Sequence, residues 1–132
     1  MATSNEGTCT RCEALENVVE DDGSIPAWVV ECLSRLFSSI SDHTRIRIIY
    51  ALVENERLNV TDLAELSGLS ISAISHQLRM LRDRGMVNSV REGRMVFYSL
   101  ADDHLRSIFC TGVQHAFEDC TNNLRRDAER KG

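Results

Sequence analysis

The sequence predicts a mainly α-helical domain that carries one β-hairpin. The chain has 132 residues, of which 42% are hydrophobic, which is enough for one ordinary core and calls for no second domain. Apolar residues recur at helical spacing along most of the chain, and two β-prone runs flank a turn that contains Gly93. We expect an acidic N-terminal arm at residues 1–23, one folded domain at 24–126 and a tail at 127–132.

Positive charge is concentrated in one segment, although the net charge of the chain is -5. Residues 70–98 contain five arginines and two acidic residues, whereas residues 13–22 contain five acidic residues and no basic one. Binding to phosphates depends on cationic side chains, so their distribution matters more than the total charge. The pattern is what a DNA-binding surface inside an acidic protein requires.

The short apolar runs and the number of cysteines indicate the cellular compartment in which the protein works. The longest apolar runs are far too short to cross a bilayer, and the N-terminus has no basic region followed by an apolar block. We expect a cytoplasmic protein with no membrane partner. The chain has five cysteines, an odd number, and Cys9 and Cys12 lie in the arm. Free thiols therefore fit better than a disulfide framework.

The first two predicted helices are defined by apolar periodicity. Pro26 lies where a first-turn proline is favoured, and the apolar residues after it predict helix one. The block from Ile48 to Val53 predicts a mostly buried second helix, which follows Ser41-Asp42 and ends near Asn55. The apolar positions of helix one are Val29, Cys32, Leu33, Leu36 and Ile40.

Two further helices are predicted to meet at a tight turn. Asn59 and Asp62 form a capping pattern that opens a short helix, which stops at Gly68. Ser70 caps a second helix that runs to Arg84. This second helix has an apolar stripe, formed by Ile71, Ile74, Leu78 and Leu81, and a polar stripe, formed by Ser72, Ser75, His76 and Arg79.

A short helix, a turn with glycine and a second helix with small polar residues near its start form a helix-turn-helix, whose second helix enters the major groove of DNA. The basic hairpin that follows makes it a winged helix-turn-helix. Short polar side chains allow close approach to base edges, and arginines reach phosphates. The alternative is that the polar stripe is only a solvated face. The predicted DNA contacts are Ser70, Ser72, Ser75, His76, Gln77, Arg79 and Arg82 on the helix, and Arg91 and Arg94 at the hairpin tip.

A family resemblance follows from these residues. The segment from about Leu36 to Glu118 resembles the ArsR/SmtB family of metal-sensing bacterial repressors, and "SAISHQLRMLRDRGMV" is a specific match to that family's recognition helix. The resemblance implies a homodimeric repressor, which binds double-stranded operator DNA near a metal efflux or sequestration gene and releases it when metal binds. His43 stands where the family usually has proline, and we expect it at the surface, at a helix start.

The last predicted helix begins near Asp103 and carries two histidines. His104 and His115 are eleven residues apart, which is three helical turns plus about 20°. They share a face, but about 16 Å along the axis is too far for one metal ion within a chain. Two antiparallel copies of the helix would bring His104 opposite the other subunit's copy of His115. The apolar side is formed by Val113, Phe117, Cys120 and Leu124, and residues 125–132 are expected to fray.

Carboxylates near both histidines complete a candidate metal site. Glu118 lies on the same helical side as His115, and Asp102 precedes the first turn, so its carboxylate can swing back toward His104. Two imidazoles and two carboxylates suit zinc or cobalt better than a soft thiophilic ion. This Asp-x-His-(x10)-His-x-x-Glu pattern resembles the family's zinc-sensing site at all four positions. The alternative is that Asp102 and Asp103 only cap the helix, with the histidines in an ordinary dimer interface.

The resemblance implies Zn(II) as the effector, with Co(II), Cd(II) or Pb(II) as alternatives. The same ligand set argues against a zinc enzyme, because catalytic zinc keeps an open position for water and four protein ligands leave none. We therefore expect no enzymatic activity.

Cysteines offer a second metal site. Cys9 and Cys12 form a Cys-x-x-Cys pair that would supply two thiolates. Family members that sense cadmium or lead pair such an arm with cysteines where this chain has Asn59-Val60-Thr61, so the site would be incomplete.

The remaining cysteines lead to a competing hypothesis. Cys32 and Cys120 lie on apolar stripes and are expected to be small core residues. Cys110 lies near the expected dimer region, and Cys32 with Cys110 is a conceivable redox pair. The competing function is thiol-based sensing of oxidants, sulfide or soft metals.

Overall fold

A computed structural model describes residues 17–131 of the chain. Besides a helical segment at residues 17–18, it contains five helices and three strands in those residues, and it confirms the predicted fold class, a mainly helical domain with a β-hairpin. Within the described residues, 17–38 and 39–131 belong to two compact units. The elements are α1 (Ala27–Ile40), α2 (His43–Glu54), β1 (Leu58–Asn59), α3 (Val60–Ser67), α4 (Ile71–Asp83), β2 (Val87–Glu92), β3 (Met95–Leu100) and α5 (Asp103–Lys131).

In the first unit, a turn precedes α1. The carboxylate of Asp22 accepts a hydrogen bond from the Ser24 backbone N–H at 2.8 Å, and the Pro26 carbonyl accepts from Val30 in the first turn of the helix. Cys32 is exposed in the single chain, so the expectation that it is a core residue is wrong. Its helix presents further apolar residues to solvent, namely Trp28, Val30, Leu33 and Phe37.

In the second unit, α2 begins and ends as predicted. Asp42 caps it, and its side chain accepts hydrogen bonds from the backbone N–H groups of Thr44 and Arg45 at 3.1 and 3.2 Å. The exposed His43 is the first helical residue, as expected. The buried residues of α2 are Ile48, Ile49, Ala51 and Leu52.

A left-handed glycine makes the turn between α3 and α4. The Asn59 side chain accepts from the Asp62 N–H at 2.8 Å, which confirms the predicted cap of α3. Gly68, with φ 72 and ψ 18, ends the helix, and its N–H donates to the Ala64 carbonyl at 3.0 Å. A residue without a Cβ adopts this conformation at little cost. Residues 68–70 then lead directly into α4.

Both ends of α4 are fixed by hydrogen bonds. The Ser70 hydroxyl accepts from the Ala73 N–H at 3.1 Å. At the other end, Gly85 donates to the Arg82 carbonyl and Met86 donates to the Leu81 carbonyl at 2.9 Å. This pair of bonds is a Schellman motif, with Gly85 at φ 72.

The buried stripe of α4 is shorter than predicted. Ile74, Leu78 and Leu81 are 0%, 1% and 0% exposed, but Ile71 is 56% exposed. The prediction is therefore wrong at Ile71. The physical reason is its position, because it is the first helical residue and lies about 50° around the helix from the centre of the buried stripe.

The three strands form one antiparallel sheet in the order β1-β3-β2. The predicted hairpin is confirmed, with Glu92 opposite Met95 and a two-residue turn of Gly93 and Arg94. Gly93 has φ 64 and occupies the first central position, where tight hairpin turns favour glycine. The strand β1 was not predicted, because a two-residue strand has no alternation to detect. It places Leu58 opposite Tyr98.

The core of the second unit is aliphatic. It unites α2, α3, α4 and the sheet, and Leu100 and Phe109 pack against its edge. The guanidinium of Arg106 on α5 donates to the carbonyls of Leu52 and Val53, which lie in the last turn of α2. Such carbonyls have no partner within their own helix. The core residues are Ile48, Ile49, Ala51, Leu52, Leu58, Leu63, Ile74, Leu78, Leu81 and Val87.

The last helix starts at Asp103, as predicted, but continues to Lys131. The prediction that the chain frays from Arg125 is therefore wrong, because residues 125–131 are helical. Arg130 and Lys131 in the last turn favour a helix C-terminus. Cys120 is exposed and is not a core residue of the single chain. No helix within residues 17–131 has both the length and the apolar character needed to span a membrane.

Replacing Gly68 with alanine should destabilise the domain by about 1 kcal/mol, because an L-residue is strained in the left-handed conformation. Apart from its chain neighbours, no heavy atom of residues 17–131 lies within 4 Å of the added Cβ, so strain rather than collision is the cause. Urea denaturation measures the change. Gly68→Asn is the matched control and should cost less, because asparagine tolerates this conformation. Equal stability of the wild type and both variants would contradict the prediction.

Candidate DNA-binding surface and metal-binding helix

One side of α4 carries the polar residues predicted to contact DNA. Because the opposite side is buried in the core, these side chains are held toward solvent. Ser70 also lies at this end, but its oxygen already accepts the capping bond, which leaves its hydroxyl hydrogen to donate elsewhere. The structure brings together the exposed residues Ser72, Ser75, His76, Arg79 and Arg82.

Gln77 differs from the other predicted contacts on α4. Its side chain is half-buried, and its Oε1 atom is buried without a hydrogen-bond partner among residues 17–131. Around the helix it lies about 100° from His76 and 160° from Arg79, away from the centre of the polar side. Contact between Gln77 and a base remains a prediction.

The tip of the hairpin presents Arg91 and Arg94, both exposed. Between them, Glu92 forms a two-point ion pair with Arg57, with oxygen–nitrogen distances of 2.6 and 3.1 Å. The Arg57 guanidinium also lies 4.2 Å from the centroid of the Phe97 ring. Sequence reasoning missed this cluster, because Arg57 and Glu92 are 35 residues apart and only the pairing of β1 with β3 brings them together.

The ion pair changes the charge that the hairpin presents. The hydrogen bonds from Arg57 lower the pKa of Glu92, and those same bonds raise the pKa of Arg57. Glu92 is therefore ionised and paired at neutral pH. Its charge is compensated by Arg57, which leaves the charges of Arg91 and Arg94 to dominate the tip.

The four predicted metal ligands all lie at or near the first half of α5. A single uninterrupted helix joins His104 to His115, so the two histidines share a face. Asp102 caps the helix, because its Oδ1 atom accepts from the Leu105 N–H at 3.0 Å. The same oxygen is 3.8 Å from Nδ1 of His104, whose side chain is 93% exposed. Glu118 accepts a bond from Gln114 at 3.3 Å.

Within one chain these ligands do not meet. Among residues 17–131, no group of three or more histidine, cysteine, aspartate or glutamate residues is placed to hold a metal ion. Asp102 and His104 form one exposed pair, and His115 and Glu118 lie about three turns further along the helix. Each pair provides one imidazole and one carboxylate, half of a four-ligand zinc set. The residues therefore fit a metal only if a second copy supplies the other half.

The thiols of residues 17–131 are accessible. Cys32, Cys110 and Cys120 are free and exposed. The predicted Cys9 and Cys12 pair lies outside the described residues, as does most of the acidic arm. The proposed pairing of Cys32 with Cys110 stays a prediction.

Comparison with known proteins assigns the family. Residues 42–89, from the N-terminal cap of α2 into β2, match the model of the bacterial regulatory protein, arsR family. The chain is 36% identical over 85 residues to a cadmium resistance transcriptional regulatory protein CadC homolog from Staphylococcus aureus, and the match covers 64% of this chain and 67% of that protein. The chain belongs to the arsR family. This confirms the resemblance predicted from the recognition helix.

A second relative of this arsR-family chain is named transcriptional repressor SmtB homolog and comes from Synechocystis. It is 42% identical over 86 residues, which cover 65% of this chain. The match spans 64% of that relative's length. The relatives are named as transcriptional regulators, in agreement with the expectation that this chain is not an enzyme.

Solved structures agree with the fold. The antimony-specific transcriptional repressor AntR superposes with a TM-score of 0.65 at 25% identity and covers 86% of this chain and 98% of its own. The winged helix-turn-helix domain of Mb0332 from Mycobacterium bovis, described as homodimeric, gives 0.66 at 22% identity, covering 73% of this chain and 88% of that one. The arsR-family chain therefore has a winged helix-turn-helix fold.

The Arg57–Glu92 pair should make stability depend on acid pH. The folded-state pKa of Glu92 is lowered, so its contribution is present above the ordinary carboxyl pKa of 4.5 and is lost as the pH falls through the lower folded value. Thermal melting of the wild type and of Glu92→Gln should therefore differ at pH 7 and converge in acid.

Exposed Glu65 on α3 provides the control for this comparison. Glu65→Gln should follow the wild type over the whole pH range. A difference between the wild type and Glu92→Gln that persists unchanged at pH 2 would show that the ion pair is not its source.

Proposed function

We propose that this chain is a metal-responsive transcriptional repressor. It binds operator DNA as a homodimer and releases the DNA when Zn(II), or a similar ion, binds between the last helices of the two subunits. The observation that carries the proposal is the arrangement on α5, where two exposed half-sets of zinc ligands share one helical face but cannot meet within one chain.

The metal ligands of the proposed site come from both subunits. Asp102 and His104 of one subunit lie beside His115 and Glu118 of its partner, so a symmetric dimer has two identical sites. The ion would link the two α5 helices through four side chains. The exposed apolar residues of α5 lie on the other side of the helix, roughly opposite the two histidines, so they are not part of this metal-linked contact. They are Val113, Phe117 and Leu124, which are 46%, 72% and 70% exposed.

The proposed DNA contacts follow the predicted set. The exposed side of α4 enters the major groove, where short side chains reach base edges and arginines reach phosphates. The hairpin lies beside the duplex and contributes further phosphate contacts. We assign these roles to Ser70, Ser72, Ser75, His76, Gln77, Arg79 and Arg82 on α4, and to Arg91 and Arg94 at the tip.

Symmetry explains how metal would act at a distance. A dimer binds two half-sites about one turn of DNA apart, so affinity depends on the spacing of the two α4 helices. Metal bound between the α5 helices favours one spacing. If that spacing fits the operator less well, DNA must weaken metal binding by the same factor.

The choice of ion rests on the donor set and on the relatives. Two imidazoles and two carboxylates favour Zn(II) or Co(II). Some relatives are named cadmium resistance regulatory proteins, so Cd(II) stays an alternative. We keep Pb(II) as an alternative beside it. Cys9 and Cys12 would supply two thiolates to a second site, which is incomplete without further ligands. We place them in an arm at 1–23, followed by a DNA-binding and dimerisation domain at 24–126 and a tail at 127–132.

Mixed dimers test the intersubunit site. His104→Ala and His115→Ala homodimers each lose one ligand from both sites and should lose tight zinc binding. A mixed dimer of the two variants has one site that lacks both histidines and one that is intact. It should therefore bind one zinc ion, against two for the wild type, as measured by competition with a chromophoric chelator.

His43→Ala is the matched control, because His43 is an exposed histidine outside the ligand set. It should bind two ions per dimer. Zinc should release DNA from the wild type and from His43→Ala but not from either α5 homodimer. A mixed dimer that binds no zinc, or a His104→Ala homodimer that still binds two ions, would exclude the arrangement.

The exposed thiols favour one alternative function, a thiol-based sensor of oxidants, sulfide or soft metals. Replacing all five cysteines with serine separates the two. On our proposal, zinc still releases DNA from the cysteine-free chain, and zinc-free protein does not respond to a thiol oxidant. If oxidant releases DNA from the wild type, and neither zinc nor oxidant releases it from the cysteine-free chain, the thiol function replaces the metal function.

A further inference from the structure

Ile71 is an exposed aliphatic residue at the start of α4. It is 56% exposed, whereas the other branched aliphatic residues of the helix, Ile74, Leu78 and Leu81, are buried. Exposure of an isoleucine side chain to water is unfavourable, and Ile71 does not belong to the core cluster. Contact with another molecule would bury its apolar surface, which is favourable.

Ile71 lies at the boundary between the buried and the polar sides of α4, about 20° around the helix from buried Leu78. Around the helix it lies about 40° from Ser75 and about 20° from Arg82, at the edge of the polar stripe. It is the first residue of α4, and the N-terminal residues of a recognition helix are those that reach base edges.

The local structure also holds Ile71 in place. The Ser70 cap fixes the backbone on one side, and the left-handed Gly68 fixes the turn before it. A β-branched side chain has few χ1 rotamers in a helix. Ile71 therefore presents a stiff apolar surface in a defined direction, which lowers the entropy lost on contact.

We propose that Ile71 reads a thymine in each half-site by packing against its C5-methyl group. This inference rests on the proposed entry of α4 into the major groove. Thymine is the one standard base that shows a methyl group there, and apolar side chains recognise it by contact. Serine hydroxyls bond to several bases, so Ser72 and Ser75 discriminate less. Ile71 would supply the preference that they lack.

Deoxyuridine, which is thymine without the methyl group, provides the test. The probe is a duplex that the wild-type chain selects from a random pool, with each thymine replaced in turn. One position per half-site should show a loss of affinity of about fourfold, the value for one apolar methyl group. The Ile71→Ser variant should show no loss at that position.

Ile71→Val is the conservative control, because it keeps a branched aliphatic surface and should retain the loss. Melting temperature should be nearly unchanged in both variants, because Ile71 is outside the core. If the wild type selects no sequence, the proposed function fails. If it selects a sequence but deoxyuridine has no effect, or has the same effect in Ile71→Ser, the DNA-binding function stands and the role of Ile71 is wrong.

Discussion

The burial of Ile74, Leu78 and Leu81 sets the orientation of α4, and the rest of the surface depends on it. These side chains join one cluster with residues of α2, α3 and β2. Full burial of each is worth about 1.5–3 kcal/mol, so rotation of the helix about its axis is strongly opposed. With one side fixed inward, the serines, His76 and the arginines are held outward. The polar surface is therefore a direct consequence of core packing.

The hairpin is positioned by a different kind of contact. Its strand β3 lies at the centre of the sheet, between β2 and the two-residue β1. That short strand brings Arg57 to Glu92 and to the ring of Phe97. An exposed ion pair adds little to stability, but two hydrogen bonds and a ring contact restrict where the tip lies. The tip is therefore tied to the segment that leads into α3.

Local sequence patterns predicted most helices and the hairpin, whereas features that depend on long-range contacts were not predicted. Caps at Asn59 and Ser70 and the glycine at 68 are short-range patterns, so they were readable from the sequence. The strand β1 depends on a partner about 40 residues away, which no local pattern records. Cys32 and Cys120 lie on apolar stripes, yet periodicity cannot tell a stripe that the chain covers from one that it leaves exposed. The histidines of α5 are a different case, because their eleven-residue spacing predicts a shared helical face from the sequence, whereas the proposed site also needs a second chain.

The start of α5 is physically connected to the helix that supports α4. Arg106, two residues after His104, donates to the free carbonyls of Leu52 and Val53 at the end of α2. The side chain of Leu52 is 0% exposed and belongs to the same cluster as Ile74 and Leu78. A continuous set of contacts therefore joins the first turn of α5 to α2 and, through the close-packed core, to α4. The proposed metal ligand His104 is therefore two residues from a contact that leads into the core below the polar side of α4.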